Sequence, residues 1–118
     1  VNVGGALSGA NSASSTISGF AANINNQTGT TYTLTASDNG KIITLNNSSA
    51  ITLTIPSGLQ VGFNCMIVQL GTGQVTLSSS GVTVTNRSGF TKTSGQNAIA
   101  TIISVVSNTF ITGGDMTN

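Results

Sequence analysis

From residue 31 onward, apolar side chains fall on alternate positions and threonine fills most of the gaps between them. Tyr32 and Leu34 alternate with Thr31, Thr33 and Thr35, and Ile51, Leu53 and Ile55 alternate with Thr52 and Thr54. Val75 and Leu77 flank Thr76, Val82 and Val84 flank Thr83, and Ile43 and Leu45 keep the same spacing. Successive side chains of a β-strand point to opposite faces, so this period predicts half-buried strands, and the β-branched content agrees. Residues 63–70 and 98–106 are more continuously apolar and predict more fully buried strands, with a last short strand at Phe110 and Ile111.

Turn residues separate these runs. Asp38-Asn39-Gly40 suits a tight turn with a residue at positive φ, and Pro56-Ser57-Gly58 ends a strand where a ladder donor is missing. Asn46-Asn47-Ser48-Ser49, Gly71-Thr72-Gly73, Ser79-Ser80-Gly81 and Ser94-Gly95 punctuate the rest. About eight short strands without a helix long enough for a βαβ unit point to a sandwich, a barrel or a jelly roll. Residues 1–30 differ: they are small, polar and glycine-rich, with only the weak spacing Ile17, Phe20, Ala21, Ile24. They read as an extended assembly arm or connector ordered against a neighbour, or else as a flexible linker, ahead of a β domain over 31–118.

The polar surface is unusual in kind. Ser, Thr, Asn and Gln make up about 45% of the 118 residues, whereas charged residues supply 4% against about 25% in an ordinary domain. The charges are Asp38, Lys41, Arg87, Lys92 and Asp115, for a net +1. Three scattered cations do not make a phosphate-binding surface, so no nucleic-acid partner is expected. No apolar run approaches the ~20 residues that span a bilayer, so membrane insertion is not expected either. The chain opens on Val1 without a signal-like segment, as a larger parent or a processed product would.

Catalysis is not expected. Without His or Glu, the usual proton-transfer groups are missing. Asp38 and Asp115 are far apart in sequence and each has a turn-like context, so a glycosidase pair would need the fold to join them. Cys65 has no His to activate it, and reads as a buried apolar thiol, with an interchain bridge or a reactive thiol as the other readings. One Cys and no His exclude structural zinc, and a calcium site on Asp38, Asn39 and carbonyls is weak. No metal or cofactor is expected. The Asn-x-Ser/Thr triplets at Asn26, Asn46, Asn47 and Asn86 are what this composition produces by chance.

The order of several pieces resembles a domain found near the ends of bacteriophage tail-fibre and related virion proteins. The pieces are Tyr32 through Lys41, Ile51 through Pro56, Gly62-Phe63-Asn64-Cys65, Gln69 through Thr76, Asn86-Arg87-Ser88-Gly89 and Thr109 through Asp115. Together they reach from Tyr32 to Asp115, which is most of the chain. The resemblance implies an all-β, eight-stranded jelly-roll-like sandwich that works as a homotrimer on a virion beside other virion proteins. It transfers no binding residues; host surface polysaccharide is the ligand class weighed for the first function below.

Three functions therefore compete. The first is a tail-fibre or spike domain, with Asn86, Arg87, Phe90 and Lys92 as its candidate contact loop and Ile17, Phe20 and Ile24 as its candidate assembly arm. Phe63 and Phe110 are expected in the core, while Phe90 is open to a ligand or to a partner chain. The second is a capsid decoration protein whose arm lies on the shell. The third is an ice-binding or adhesion protein using Thr33/Thr35, Thr52/Thr54 and Thr83/Thr85, although no fixed repeat supports such an array.

Overall fold

A computed structural model describes residues 21–118, and these form two β-sheets with one three-residue 3-10 turn at Ala36–Asp38. In chain order the strands are Ile24–Gln27 (β1), Thr31–Thr33 (β2), Ile42–Leu45 (β3), Ile51–Pro56 (β4), Asn64–Gln69 (β5) and Val75–Ser80 (β6). Thr83–Asn86 (β7), Lys92–Thr93 (β8), Ile99–Val106 (β9), Thr109–Gly114 (β10) and Met116–Thr117 (β11) complete the described residues. The first sheet has the order β1-β3-β5-β9-β10-β7 and the second the order β11-β8-β6-β4-β2.

The first six strands alternate between the sheets, and each of the first four pairs in parallel with the strand two places further on. Three stacked coils result, as in a short β-solenoid. Ile42 pairs with Met66 and Ile51 with Val75, equal steps along the chain, while the step from Ile24 to its partner Ile42 is shorter. Antiparallel strands close the stack: β9 on β5, β10 on β9, β8 on β6 and β11 on β8, with β7 parallel to β10.

The expectation of an all-β sandwich of two sheets is met, but the eight-stranded jelly roll is corrected. Eleven strands occur among the described residues, and the parallel coils are incompatible with the antiparallel Greek keys of a jelly roll. Alternation along one strand is the same whichever way its neighbour runs, and the unequal coil lengths hide the repeat. Residues 24–27, read as the end of an arm, form β1, whereas Ile17 and Phe20 lie outside the described residues.

The core lies between the sheets. Ile43, Ile67 and Ala100 make one inward row across the first sheet, and Leu53 and Leu77 face them from the second. Phe63 and Phe110 are both buried, as expected from their neighbours. Each aliphatic chain taken fully out of water contributes about 1.5–3 kcal/mol before entropy is counted.

One corner sets how closely the coils stack. The Asn47 carbonyl accepts from Gly73 N–H at 2.8 Å, and the Leu45 carbonyl accepts from Leu70 N–H at 2.8 Å. Asn47 Nδ2 reaches the coil on the other side, donating to the Thr28 carbonyl at 2.8 Å. A Cβ on Gly71 would stand 2.5 Å from the Asn47 oxygen, and one on Gly73 would run into the Ser49 carbonyl. Gly73→Ala is therefore expected to destabilise by about 3 kcal/mol, the upper range for overpacking, and to lower Tm by roughly 10–20 °C. Gly95→Ala, where a Cβ meets nothing within 4 Å, should leave Tm almost unchanged; calorimetry on the two variants checks the contrast.

Candidate functional site

Asp38 is the group to judge first, because a carboxylate that is only 1% exposed needs an explanation. The sequence reads it as part of the Asp38-Asn39-Gly40 turn, and a turn with Gly40 at φ 76° is present there. Its side chain is turned inward as well, accepting from Tyr32 Oη at 2.6 Å, Asn25 Nδ2 at 2.8 Å, Thr35 N–H at 2.9 Å and Thr35 Oγ1 at 3.3 Å. Four neutral donors therefore surround it. Burial pushes its pKa up, but the bonds from Tyr32, Thr35 and Asn25 outweigh that and hold the carboxyl below its ordinary value. Burial and the bond to Asp38 push the Tyr32 phenol above its ordinary value. The cluster ties β1, β2 and the following turn together. Oδ2 accepts three of these bonds and Oδ1 the one from Asn25.

Cys65 points inward from β5, and burial, with the Asp38 charge second, pushes its thiol up to about 12. The thiol is thus held in its unreactive form. A second buried polar group links the sheets: Thr93 Oγ1 donates to Gln69 Oε1 and accepts from Val75 N–H at 3.0 Å, while Gln69 Nε2 donates to the Gly71 carbonyl at 3.0 Å. No buried side-chain nitrogen or oxygen among the described residues lacks a partner. Among those residues, too, no three of His, Cys, Asp and Glu come together.

The expected contact loop is divided by the fold. Asn86 closes β7 and is committed to structure: Nδ2 donates to the Thr112 carbonyl at 3.2 Å, and Oδ1 accepts from Ser88 N–H at 2.9 Å and Phe90 N–H at 3.2 Å. Arg87 is exposed at the loop tip. Phe90 is half-buried against the core and, with Leu77, Val84 and Asn86, lines a cavity of about 140 Å³. That volume is well below the ~300 Å³ at which small-molecule pockets begin. Lys92 sits on β8, in register with Thr76 and Thr117, on the outer face of the second sheet and away from the loop tip.

The two outer faces have different chemistry. On the second sheet, Thr31, Thr52 and Thr76 form one row continued by Lys92, and Thr33, Thr54 and Ser78 form the next. Of the threonine pairs singled out in the sequence, Thr52 and Thr54 share this face with Thr33, and the others do not. Thr83 and Thr85 belong to β7 in the other sheet, and Thr35 follows the end of β2. Period-two reading locates the outward hydroxyls, but only the register shows which of them become neighbours. On the first sheet, Ile24, Ile42 and Met66 form an outward row, Val68 and Ile99 a second, and Ile103 and Ile111 a third. Five of these side chains, Ile24, Met66, Ile99, Ile103 and Ile111, are between 40% and 58% exposed.

Two outcomes follow from the buried groups. A depressed Asp38 pKa supplies stability that is complete above its ordinary value of 3.8 and disappears as pH falls through the lower folded value. The raised Tyr32 pKa supplies stability complete below 10.0 and lost as pH rises through the higher folded value. The Cys65 thiol, raised from 9.0 to about 12, acts in the same sense from pH 9.0 upward. Denaturant midpoints should thus be flat between 3.8 and 9.0 and fall at both ends, and Asp38→Asn should lower the plateau by about 2 kcal/mol and remove the acid limb. Cys65 should react with a disulfide reagent at pH 8 roughly 100-fold more slowly in the native protein than in guanidinium, because little thiolate is present when folded; equal rates would contradict its burial.

A scan against protein-family models finds no match, and a search of curated proteins finds none.

Proposed function

We propose that this domain is a non-catalytic structural part of a phage virion, a tail-fibre or spike domain that assembles with copies of itself. The observation carrying this reading is that the chemistry lies in faces and the reactive groups are locked away. Asp38 is buried among four neutral donors, Cys65 is held protonated, and the cavity beside Phe90 has room for a side chain rather than a substrate. What is offered outward is a hydroxyl face and an aliphatic face on a rigid two-sheet body. The resemblance of the order of pieces to virion tail-fibre domains supports the same reading. Host polysaccharide contact fits the loop after β7, which carries the exposed Arg87 and the half-buried Phe90.

A second reading is favoured by one specific observation. Six hydroxyls in two rows on three parallel strands, spaced about 4.8 Å between strands and about 6.6 Å along them, form a regular lattice. An ice-binding or adhesive surface could use such a lattice, and β-branched threonine holds it stiffly.

The two readings separate experimentally. Antibodies raised against the purified chain should label the tails of virus particles that carry it. Label on the capsid faces would transfer the domain to shell decoration, and unlabelled particles would refute a virion role. Thermal hysteresis is expected to be absent at millimolar protein. A clear hysteresis gap, abolished by Thr54→Lys, would establish the second reading in place of the first.

A further inference from the structure

The geometry points to the outer face of the first sheet as the surface on which a second copy of this chain docks. This rests on the reading of the domain as an assembling part, and it names the surface that does the assembling. The apolar side chains there are neighbours across strands: Ile24, Ile42 and Met66 across β1, β3 and β5, Ile103 and Ile111 across β9 and β10, and Val68 beside Ile99. Six strands about 4.8 Å apart, each four to eight residues long, give a face of roughly 500 Å² in projection. Side chains standing from that plane carry more accessible area than its projection. The face therefore approaches the roughly 800 Å² per partner that a stable complex buries. Its apolar share matches or exceeds the few hundred Å² a monomer usually leaves open.

Charge selects the occupant. None of the six strands contains Asp, Glu, Lys or Arg, so two copies of this face meet without opposing like charges or burying an unpaired one. A strongly acidic or basic partner would find nothing complementary on it. The polar positions among the aliphatics, Asn26, Thr44, Asn64 and Thr101, are neutral and able to donate or accept across an interface. With so few formal charges in the chain, long-range repulsion does not keep copies apart either. The opposite face has neither property: its rows are threonine and serine, and Lys92 stands among them.

Sedimentation of the full chain across 1–100 µM tests the assignment. The wild-type chain should run as an oligomer of 11.7 kDa subunits. Ile103→Asp and, separately, Met66→Glu should each raise the dissociation constant at least 100-fold, while Thr54→Asp on the hydroxyl face should not. These side chains are exposed, so circular dichroism should show unchanged strand content, and Ile111→Lys offers a third position should one variant lose it. Oligomers that persist in the folded Ile103→Asp, Met66→Glu and Ile111→Lys variants would overturn this face while leaving the virion reading intact. A wild-type chain that stays monomeric at 100 µM would overturn both.

Discussion

Backbone hydrogen bonds between stacked coils are the constraint on which the rest of this structure depends. They hold β1, β3 and β5 in one parallel array and β2, β4 and β6 in the other, with the core between. The stacking is closest where Gly71 and Gly73 lie on the backbone of residues 46–49, a spacing that no side chain at those two positions would permit. Both outer faces inherit their order from this stacking. In-register parallel strands place threonine beside threonine on one side and isoleucine beside isoleucine or methionine on the other.

Neutral hydrogen bonding does in this protein what ion pairs do in many others. Asp38, a carboxylate taken into the interior, is met by a phenol, an amide, a hydroxyl and a backbone N–H, and no cation is among those partners. Gln69 and Thr93 make a similar uncharged link between the two sheets. Such networks rigidify a core only when every member is satisfied, and here every buried side-chain polar atom among the described residues is. Salt should accordingly matter little to the body of the fold.

Strand existence is legible in the alternation, and so are the buried phenylalanines: Phe63 and Phe110 lie where their neighbours put them. Strand direction is not. Nothing in Ile51-Thr52-Leu53-Thr54-Ile55 tells whether the next chain segment runs with it or against it. The step from Ile24 to Ile42 differs too much from the step from Ile42 to Met66 for a repeat to stand out. Gly71-Thr72-Gly73 reads as a spacer between strands, because the carbonyls it must avoid belong to Asn47 and Ser49 in the preceding coil. Asp38 reads as self-sufficient in a turn; its partners Asn25 and Tyr32 precede it with no spacing rule linking the three. Of the contact loop, Arg87 and Phe90 stay together and Lys92 does not, since one strand pairing carries it onto another surface.

The order of the strands also has a mechanical meaning. β1 lies at one edge of its sheet and β11 at the opposite edge of the other, so the described chain enters at one pole of the stack and leaves at the other. Tension applied between those points runs along the inter-strand bonds instead of across them. Rungs loaded in that direction part in sequence, beginning with the short pairs β1 on β3 and β11 on β8. The stack should yield gradually from its ends at low force, whereas sideways shear meets the full ladder at once. A body built in this way gives under an end-to-end pull and holds against a sideways one.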